Sequence, residues 1–232
     1  MAAITLRPPR WLSRGVALGL ASAFTLLAAR ANAQTSVGGS AFGALVNTAG
    51  MVQQTPVAML PTSGGMDEQS LDAFSGSTAV SSEWLTALTT GAVDDAVSSS
   101  QSSSDLQQVS VLGGLISADI VTAMAASYVS PAGAASDAAG SGFTNLVVNG
   151  VPMTTDVAPN TRVDLPGVGY AVLNEQTLSG DGVTTSGITV NMIHVVLQTL
   201  TGGGCTILGC LPGTLTTTGE IIVGSANSSV GS

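Results

Sequence analysis

The chain contains no lysine and is poor in charge, aromatic residues, cysteine and histidine. Its 232 residues include five basic and fourteen acidic side chains, one histidine, two cysteines and 3% aromatic residues. Nucleic-acid binding requires clustered basic residues, and adhesion to anionic membranes requires a basic face. Serine, cysteine and zinc hydrolases each need more reactive or ligating groups than are present here. We therefore expect no enzymatic activity, no cofactor, no metal and no nucleic-acid partner.

The first 33 residues have the organisation of a secretory signal peptide. Arg7, Arg10 and Arg14 precede the apolar run "GVALGLASAFTLLAA", which is too short to span a bilayer as a stable helix. The small residues "ANA" then predict cleavage between Ala33 and Gln34. An uncleaved membrane anchor is the alternative. We predict export by the general secretory route, to the cell surface or the medium.

Removal of this segment leaves a mature chain, residues 34–232, that is almost free of cations. Four of the five basic residues precede the cleavage site and none of the acids does, so the mature chain keeps only Arg162 and has a formal charge of −13. Its length suits one domain with a sizeable core. No apolar run after residue 34 approaches 18 residues, so we expect no membrane insertion of the mature chain.

The scarcity of cations predicts a simple proteolytic result. Trypsin cleaves after lysine and arginine, and the mature chain offers it only Arg162. Exported protein treated with trypsin and analysed by mass spectrometry should give at most two fragments. A ladder of fragments would contradict the predicted export or cleavage site.

Alternating apolar and polar residues, separated by turn-forming residues, predict an all-β single domain, an antiparallel β-sandwich. The pair Asn149–Gly150 indicates a hairpin turn, and Pro166–Gly167 suits the centre of a type II turn. Residues 40–61 indicate one long strand or two consecutive ones. The segment "SSEWLTALTTGAVDDAV", with Ser82 as an N-cap, could instead form a helix, although Gly91 and paired threonines disfavour a long one.

Two polar segments are expected to be irregular. "SSSQSSSD", residues 98–105, has the composition of a loop or a flexible edge, and "SPAGAASDAAGSG" that of a second loop. Between them, Gly113 and Gly114 indicate a kink or bulge within a β-rich stretch.

The two cysteines, Cys205 and Cys210, lie in a glycine-rich hairpin. In an exported protein this spacing predicts a disulfide, whereas a two-thiolate metal site would lack its remaining ligands. Closing so short a loop constrains little chain entropy, about 2 kcal/mol. We expect the disulfide to stiffen one projecting tip.

His194 lies in the strand-like run "ITVNMIHVVL". Strict alternation places Met192 and Val196 on its face and Asn191 and Ile193 on the other, so both faces are substantially apolar and the strand is expected to be covered on both sides. A packed, hydrogen-bonded histidine is favoured over a general base, which would need a nucleophile or substrate pocket. Glu220, on the partner strand of the final hairpin, could lie nearby.

The carboxylates form no recognisable catalytic pair. Asp94 and Asp95 are adjacent, so on a strand they would point to opposite faces. Calcium binding at "SGDG" around Asp181 is an alternative, but the spacing of a calcium loop is missing. The six aromatic residues after the cleavage site are expected to be mostly in the core, which leaves little support for glycan binding.

Several segments resemble the choice-of-anchor P family of exported bacterial proteins. They are "VSVLGGLISADIVTA", "NLVVNGVPM", "APNTRVDLPGVGYAVLNEQ", "ITVNMIHVVL" and "TGEIIVGSA", and the similarity extends over residues 106–226. The resemblance implies a secreted or surface-displayed domain with a variable C-terminal anchor and no catalytic activity, and His194 matches a position typical of the family. We find no anchor after residue 226, so release or retention by assembly is expected.

Together these observations predict a secreted or surface-associated structural or interaction protein of the bacterial envelope or matrix. Its expected partners are further copies of itself, in an oligomer or filament, or other envelope proteins. The low charge density and the Gly/Thr/Ser-rich strands favour self-assembly. The alternative is a monomeric module that binds a glycan or a protein through the loop around Cys205 and Cys210.

Overall fold

A computed structural model describes residues 35–76, 78–206 and 209–232, without the side chains of residues 204–211. The predicted signal peptide and the Ala33–Gln34 cleavage site lie outside the described residues. No helix occurs in the described part of the chain, and the prediction of an all-β antiparallel sandwich is confirmed. The strands are β1 (Ser36–Thr48), β2 (Met51–Gln54), β3 (Val57–Leu60), β4 (Gly64–Leu71), β5 (Phe74–Gly76), β6 (Val80–Ser82), β7 (Trp84–Ala92), β8 (Ser98–Val111), β9 (Ile116–Ser130), β10 (Gly133–Asp137), β11 (Gly142–Thr144), β12 (Val147–Val148), β13 (Val151–Pro152), β14 (Thr161–Leu165), β15 (Gly169–Gly180), β16 (Thr185–Thr206) and β17 (Gly209–Gly231).

The strands form two antiparallel sheets that pack face to face. Sheet I has the order β14-β15-β16-β17-β1-β2, with β3 also paired to β1. Sheet II centres on β8 and β9; β7 and β6 pair with β8, β4 pairs with β7, and β10, β11 and β12 pair with β9. Strands β1 and β17 of sheet I face β7, β8 and β9 of sheet II. The first and last strands are thus hydrogen-bonded neighbours at the centre of the fold.

Much of the interface between the sheets is an aliphatic core. Sheet II contributes Leu85, Leu106 and Ile116, and sheet I contributes Leu173 and Ile221, all without solvent exposure. Each such side chain stabilises the fold by about 1.5–3 kcal/mol relative to an exposed one. No described helix is both long and apolar enough to cross a membrane.

Another part of the interface is polar, because the first half of β8 buries a row of serines. Ser98, Ser100, Ser102 and Ser104, called here the serine seam, are at most 2% exposed. The expectation of a loop or flexible edge over residues 98–105 is wrong: this segment belongs to a central strand paired with both β7 and β9. Serine composition indicated a loop, whereas alternation along a strand turns every second serine inward.

The serine seam is held by hydrogen bonds between the two sheets. Ser100 Oγ donates to the carbonyl of Gly38 at 2.7 Å, and Ser104 Oγ donates to that of Phe42 at 2.9 Å. In the other direction, Ser228 Oγ donates to the carbonyl of Ser100 at 2.9 Å. A short hydroxyl reaches the backbone of the facing sheet only where small residues let the sheets approach, so serine and glycine are both required here.

Two of the predicted turns are present, whereas the suggestion of a helix and the prediction of a bulge are wrong. The turns at Asn149–Gly150 and Pro166–Gly167 are confirmed, joining β12 to β13 and β14 to β15. The possible helix from residue 81 to 97 is a strand, β7, over most of its length. Gly113 and Gly114 form the turn between β8 and β9 rather than a bulge within a strand.

Two segment boundaries also differ from those expected. The N-terminal segment contains three strands, not one or two. The second expected loop contains β10, which pairs with the end of β9.

Candidate functional site

The most distinctive feature of the surface is a long hairpin formed by the outer parts of β16 and β17. Residues 198–206 and 209–217, called here the arm, extend past the point where neighbouring strands end, since β15 and β1 pair no further than Leu197 and Gly219. At about 3.3 Å per residue, residues 198–206 span about 30 Å. The described side chains from Thr199 to Gly203 and from Pro212 to Thr217 are all exposed.

An irregularity in strand pairing marks the base of the arm. Leu197 pairs with Gly219 but Gln198 pairs with Thr217, which leaves Thr218 as an extra residue. Such a bulge bends a strand pair and increases its twist. The direction in which the arm projects is therefore set by this bulge at its base.

The arm presents an uncharged surface with free strand edges. None of residues 198–217 is ionisable apart from Cys205 and Cys210, and Leu200 and Leu215, which lie directly opposite each other, are 62% and 63% exposed. The outer edge of β16 is interrupted by Gly202 and Gly203, both at positive φ. Residues 213–217 of β17 have no such interruption, and no described strand pairs with them on the side away from β16. An exposed edge without charge or proline is the kind that pairs with another chain.

The predicted disulfide lies at the end of the arm. The backbone register places Cys205 opposite Cys210. Both side chains lie outside the described residues, and the side chains that the structure does describe form no disulfide, so this bond stays a prediction.

His194 lies on the outer face of sheet I, below the arm. The expectation that its strand is apolar on both faces is wrong, because the alternation changes within β16: Met192 and Ile193 are consecutive and both fully buried. Asn174 and Gly224, which lie beside this point on β15 and β17, have positive φ. This change of parity places Asn191 and His194 on the same outward face.

A polar network surrounds His194. Its Nδ1 lies 3.0 Å from Oε2 of Glu175, and because a carboxylate oxygen only accepts, this contact assigns a hydrogen to Nδ1. The same oxygen accepts from Asn191 Nδ2 at 2.8 Å, and Asn191 Oδ1 accepts from Ser225. On the other side, Nε2 is buried, lies 3.4 Å from Oε2 of Glu220 and makes no hydrogen bond.

This network joins three neighbouring strands of sheet I. His194 on β16 lies between Glu175 on β15 and Glu220 on β17. The suggestion that Glu220 lies near His194 is therefore confirmed. The hydroxyl nearest in the network, on Ser225, is bonded to Asn191 and not to the imidazole. No group of three or more His, Cys, Asp or Glu residues with metal-binding geometry occurs among the described residues.

Asp181 belongs to the turn that joins β15 to β16. The hydroxyl of Thr184 and the amides of Thr185, Val183 and Thr184 donate to this carboxylate, and they hold the pKa of Asp181 well below its usual range. The carboxylate that a calcium site would use is therefore engaged by its own turn.

Asp181→Asn should lower the melting temperature at pH 7. A depressed pKa stabilises the folded state above the unfolded value of about 4 and ceases to do so as the pH falls through the lower folded value. The difference from wild type, followed by circular dichroism, should therefore shrink as the pH falls below about 4. Asp156→Asn, in another exposed turn, is the control and should show no difference. If the melting temperature of Asp181→Asn were lower than that of wild type by the same amount at every pH, the stabilisation would not come from the charge of Asp181.

The only cation after residue 34, Arg162, lies near the base of the arm. Its guanidinium lies 3.7 Å from the centroid of the Tyr170 ring, and Nε lies 3.3 Å from Oδ1 of Asp164. It lines a groove of about 590 Å³ between the β14–β15 turn and the arm, which Leu200 and Leu215 also line. More than half of the Arg162 side chain is exposed, so it is accessible to an acidic partner.

The aromatic residues do not lie mostly in the core as expected. Among the six after residue 34, only Phe143 is buried. Trp84 and Tyr128 are 37% and 47% exposed on the outer face of sheet II. The sequence around each of these two residues predicts a strand but does not indicate which face of the sheet the side chain occupies.

Comparison of the chain with protein-family models, curated proteins and solved structures finds no match. The resemblance to the choice-of-anchor P family, and the function it implies, therefore stay predictions.

Proposed function

We propose that this chain is an exported structural or interaction protein of the bacterial envelope or extracellular matrix, and that it associates with copies of itself through the arm. It has no catalytic role in this proposal. The observation that supports it is the arm itself, whose described residues form an uncharged projecting hairpin with free edges on an otherwise acidic chain.

Charge favours the arm as the contact between copies. Mature chains with a formal charge of −13 repel each other when their bodies approach. Contact between uncharged arms keeps the acidic bodies apart. Arg162, beside the base of the arm, is the mature chain's only basic side chain apart from His194 and so offers the main cationic contact for a carboxylate of a second copy.

Backbone geometry favours pairing of like edges. Residues 213–217 of β17 form an uninterrupted extended segment, and two such segments related by a twofold axis can pair antiparallel. The result would be a continuous sheet across two arms, with the main chain providing the hydrogen bonds. Leu215 would lie at the face of that shared sheet.

Leu215→Glu tests this contact. A carboxylate at the shared sheet would be repelled by its symmetry mate, so sedimentation velocity should show wild type in species larger than the monomer and the variant mainly as monomer. Leu178→Glu is the matched control, because Leu178 is 69% exposed on β15, away from the arm, and this variant should associate like wild type. Equal sedimentation of all three proteins would exclude association through the arm.

A second candidate is a monomeric module that binds its partner through the tip of the arm. The opposed positions of Cys205 and Cys210 favour it, since a cross-strand disulfide would stiffen the tip. Under this alternative the wild type is monomeric and Cys205→Ala/Cys210→Ala weakens binding of the partner.

A further inference from the structure

A shallow depression on the outer face of sheet II combines an exposed aromatic ring with uncharged polar groups. It has a volume of about 420 Å³, and its lining includes Gly65, Thr90, Ala92, Ser99, Gln101, Ala126 and Tyr128. It lies on the sheet opposite to the one that bears the arm. We name it the Tyr128 depression.

The strand register explains its shape. Tyr128 on β9 lies opposite Ser99 on β8, which lies opposite Ala92 on β7. The next outward-facing row has Ala126, Gln101 and Thr90 in the same order. Alanine side chains thus flank the ring and the polar side chains, and glycine at residue 65 keeps the adjoining edge low. The ring of Tyr128, 47% exposed, stands beside a floor of small residues.

The polar groups of the depression are available to a ligand. In the described chain, the side chains of Thr90, Ser99, Gln101 and Tyr128 make no hydrogen bond to other protein groups. Together they offer hydroxyls and an amide, which both donate and accept. A rigid aromatic ring with a polar tip adds contact area at low cost in conformational entropy.

The absence of charge selects the class of ligand. None of the residues that line the depression is ionisable except the tyrosine, although the mature chain has fourteen acidic residues. An ionic ligand would lose its hydration there without gaining an ion pair. A pyranose matches the site, since its C–H face packs on an aromatic ring while its hydroxyls bond to amide and hydroxyl groups.

From these observations we infer that the Tyr128 depression is a binding site for neutral oligosaccharides. The site is independent of association through the arm. Its volume is within the range of small-molecule sites. Gln101 fixes the orientation of the sugar through its amide, and Tyr128 provides the stacking surface.

Affinity electrophoresis in native gels tests this inference, because the acidic mature chain migrates readily. The gels contain hydroxyethylcellulose, galactomannan, dextran or soluble starch, with alginate as an anionic comparison. We expect retardation of the wild type by at least one neutral polymer and not by alginate. Tyr128→Ala and Gln101→Ala should each weaken it at least tenfold, whereas Tyr128→Phe should retain most of it.

Trp84→Ala is the matched control, since Trp84 is exposed on the same face of sheet II but outside the depression. Each polymer should retard this variant as much as it retards the wild type. The inference is overturned by an absence of retardation in every neutral polymer, by retardation in alginate alone, or by Tyr128→Ala and Gln101→Ala proteins that bind as wild type does.

Discussion

Gly39→Val should destabilise the folded protein by about 3 kcal/mol. A Cβ atom on Gly39 would lie 2.6 Å from Ser102 Oγ and 3.1 Å from Ser100 Oγ, inside van der Waals contact. Valine adds two methyl groups between the facing strands and displaces the Ser100 hydroxyl from the Gly38 carbonyl. Overpacking and a lost buried hydrogen bond both contribute. Urea unfolding followed by circular dichroism gives the change in the free energy of unfolding.

Gly142→Val is the control for the substitution itself. Gly142 lies on β11, and a Cβ atom there would have no neighbour within 4 Å. Its free energy of unfolding should stay within about 0.5 kcal/mol of wild type, because surface substitutions rarely exceed this. If the two variants were equally stable, the close approach of the sheets at the serine seam would be disproved.

His194→Ala should lower the free energy of unfolding by about 2 kcal/mol, the size of a hydrogen bond to a charged group. The side chain is only 19% exposed and lies between two carboxylates. Its removal leaves Glu175 and Glu220 facing the same gap without a hydrogen-bond donor from the ring. The loss, measured by urea unfolding, should be smaller in 1 M salt, which screens carboxylate repulsion.

Removing one of the carboxylates identifies the cause of that loss. In the His194→Ala background, Glu220→Gln should restore part of the stability, whereas in wild type it should be neutral or destabilising. A different result would indicate a functional role for His194. If the His194→Ala protein melted at the wild-type temperature but no longer associated, the imidazole would act in binding rather than in joining strands.

Local turn chemistry made parts of the fold predictable. Asn149 and Gly150 adopt the positive φ that a tight hairpin requires, and Gly167 does so after Pro166. These preferences depend on neighbouring residues alone, so they could be inferred without the rest of the chain. The alternation of apolar residues identified the fold class for the same reason.

The serine seam and the environment of His194 depend on distant contacts. Ser100 and Ser104 of β8 are buried because carbonyls of β1, at Gly38 and Phe42, accept their hydrogen bonds. Composition does not encode that pairing. The outward position of His194 follows from a change in the alternation of inward and outward side chains at Met192 and Ile193. An isolated glycine within a strand pattern, such as Gly224, can indicate a change of this kind in a sequence. The arm was hard to separate from a glycine-rich loop, since its residues have no core to alternate against.

Association of the exported chain through the arm is tested most directly by sedimentation velocity of wild-type protein recovered from culture supernatant, with negative-stain electron microscopy of the same sample. We predict oligomers or filaments whose fraction rises with protein concentration. A single compact species of about 20 kDa at every concentration would contradict self-association.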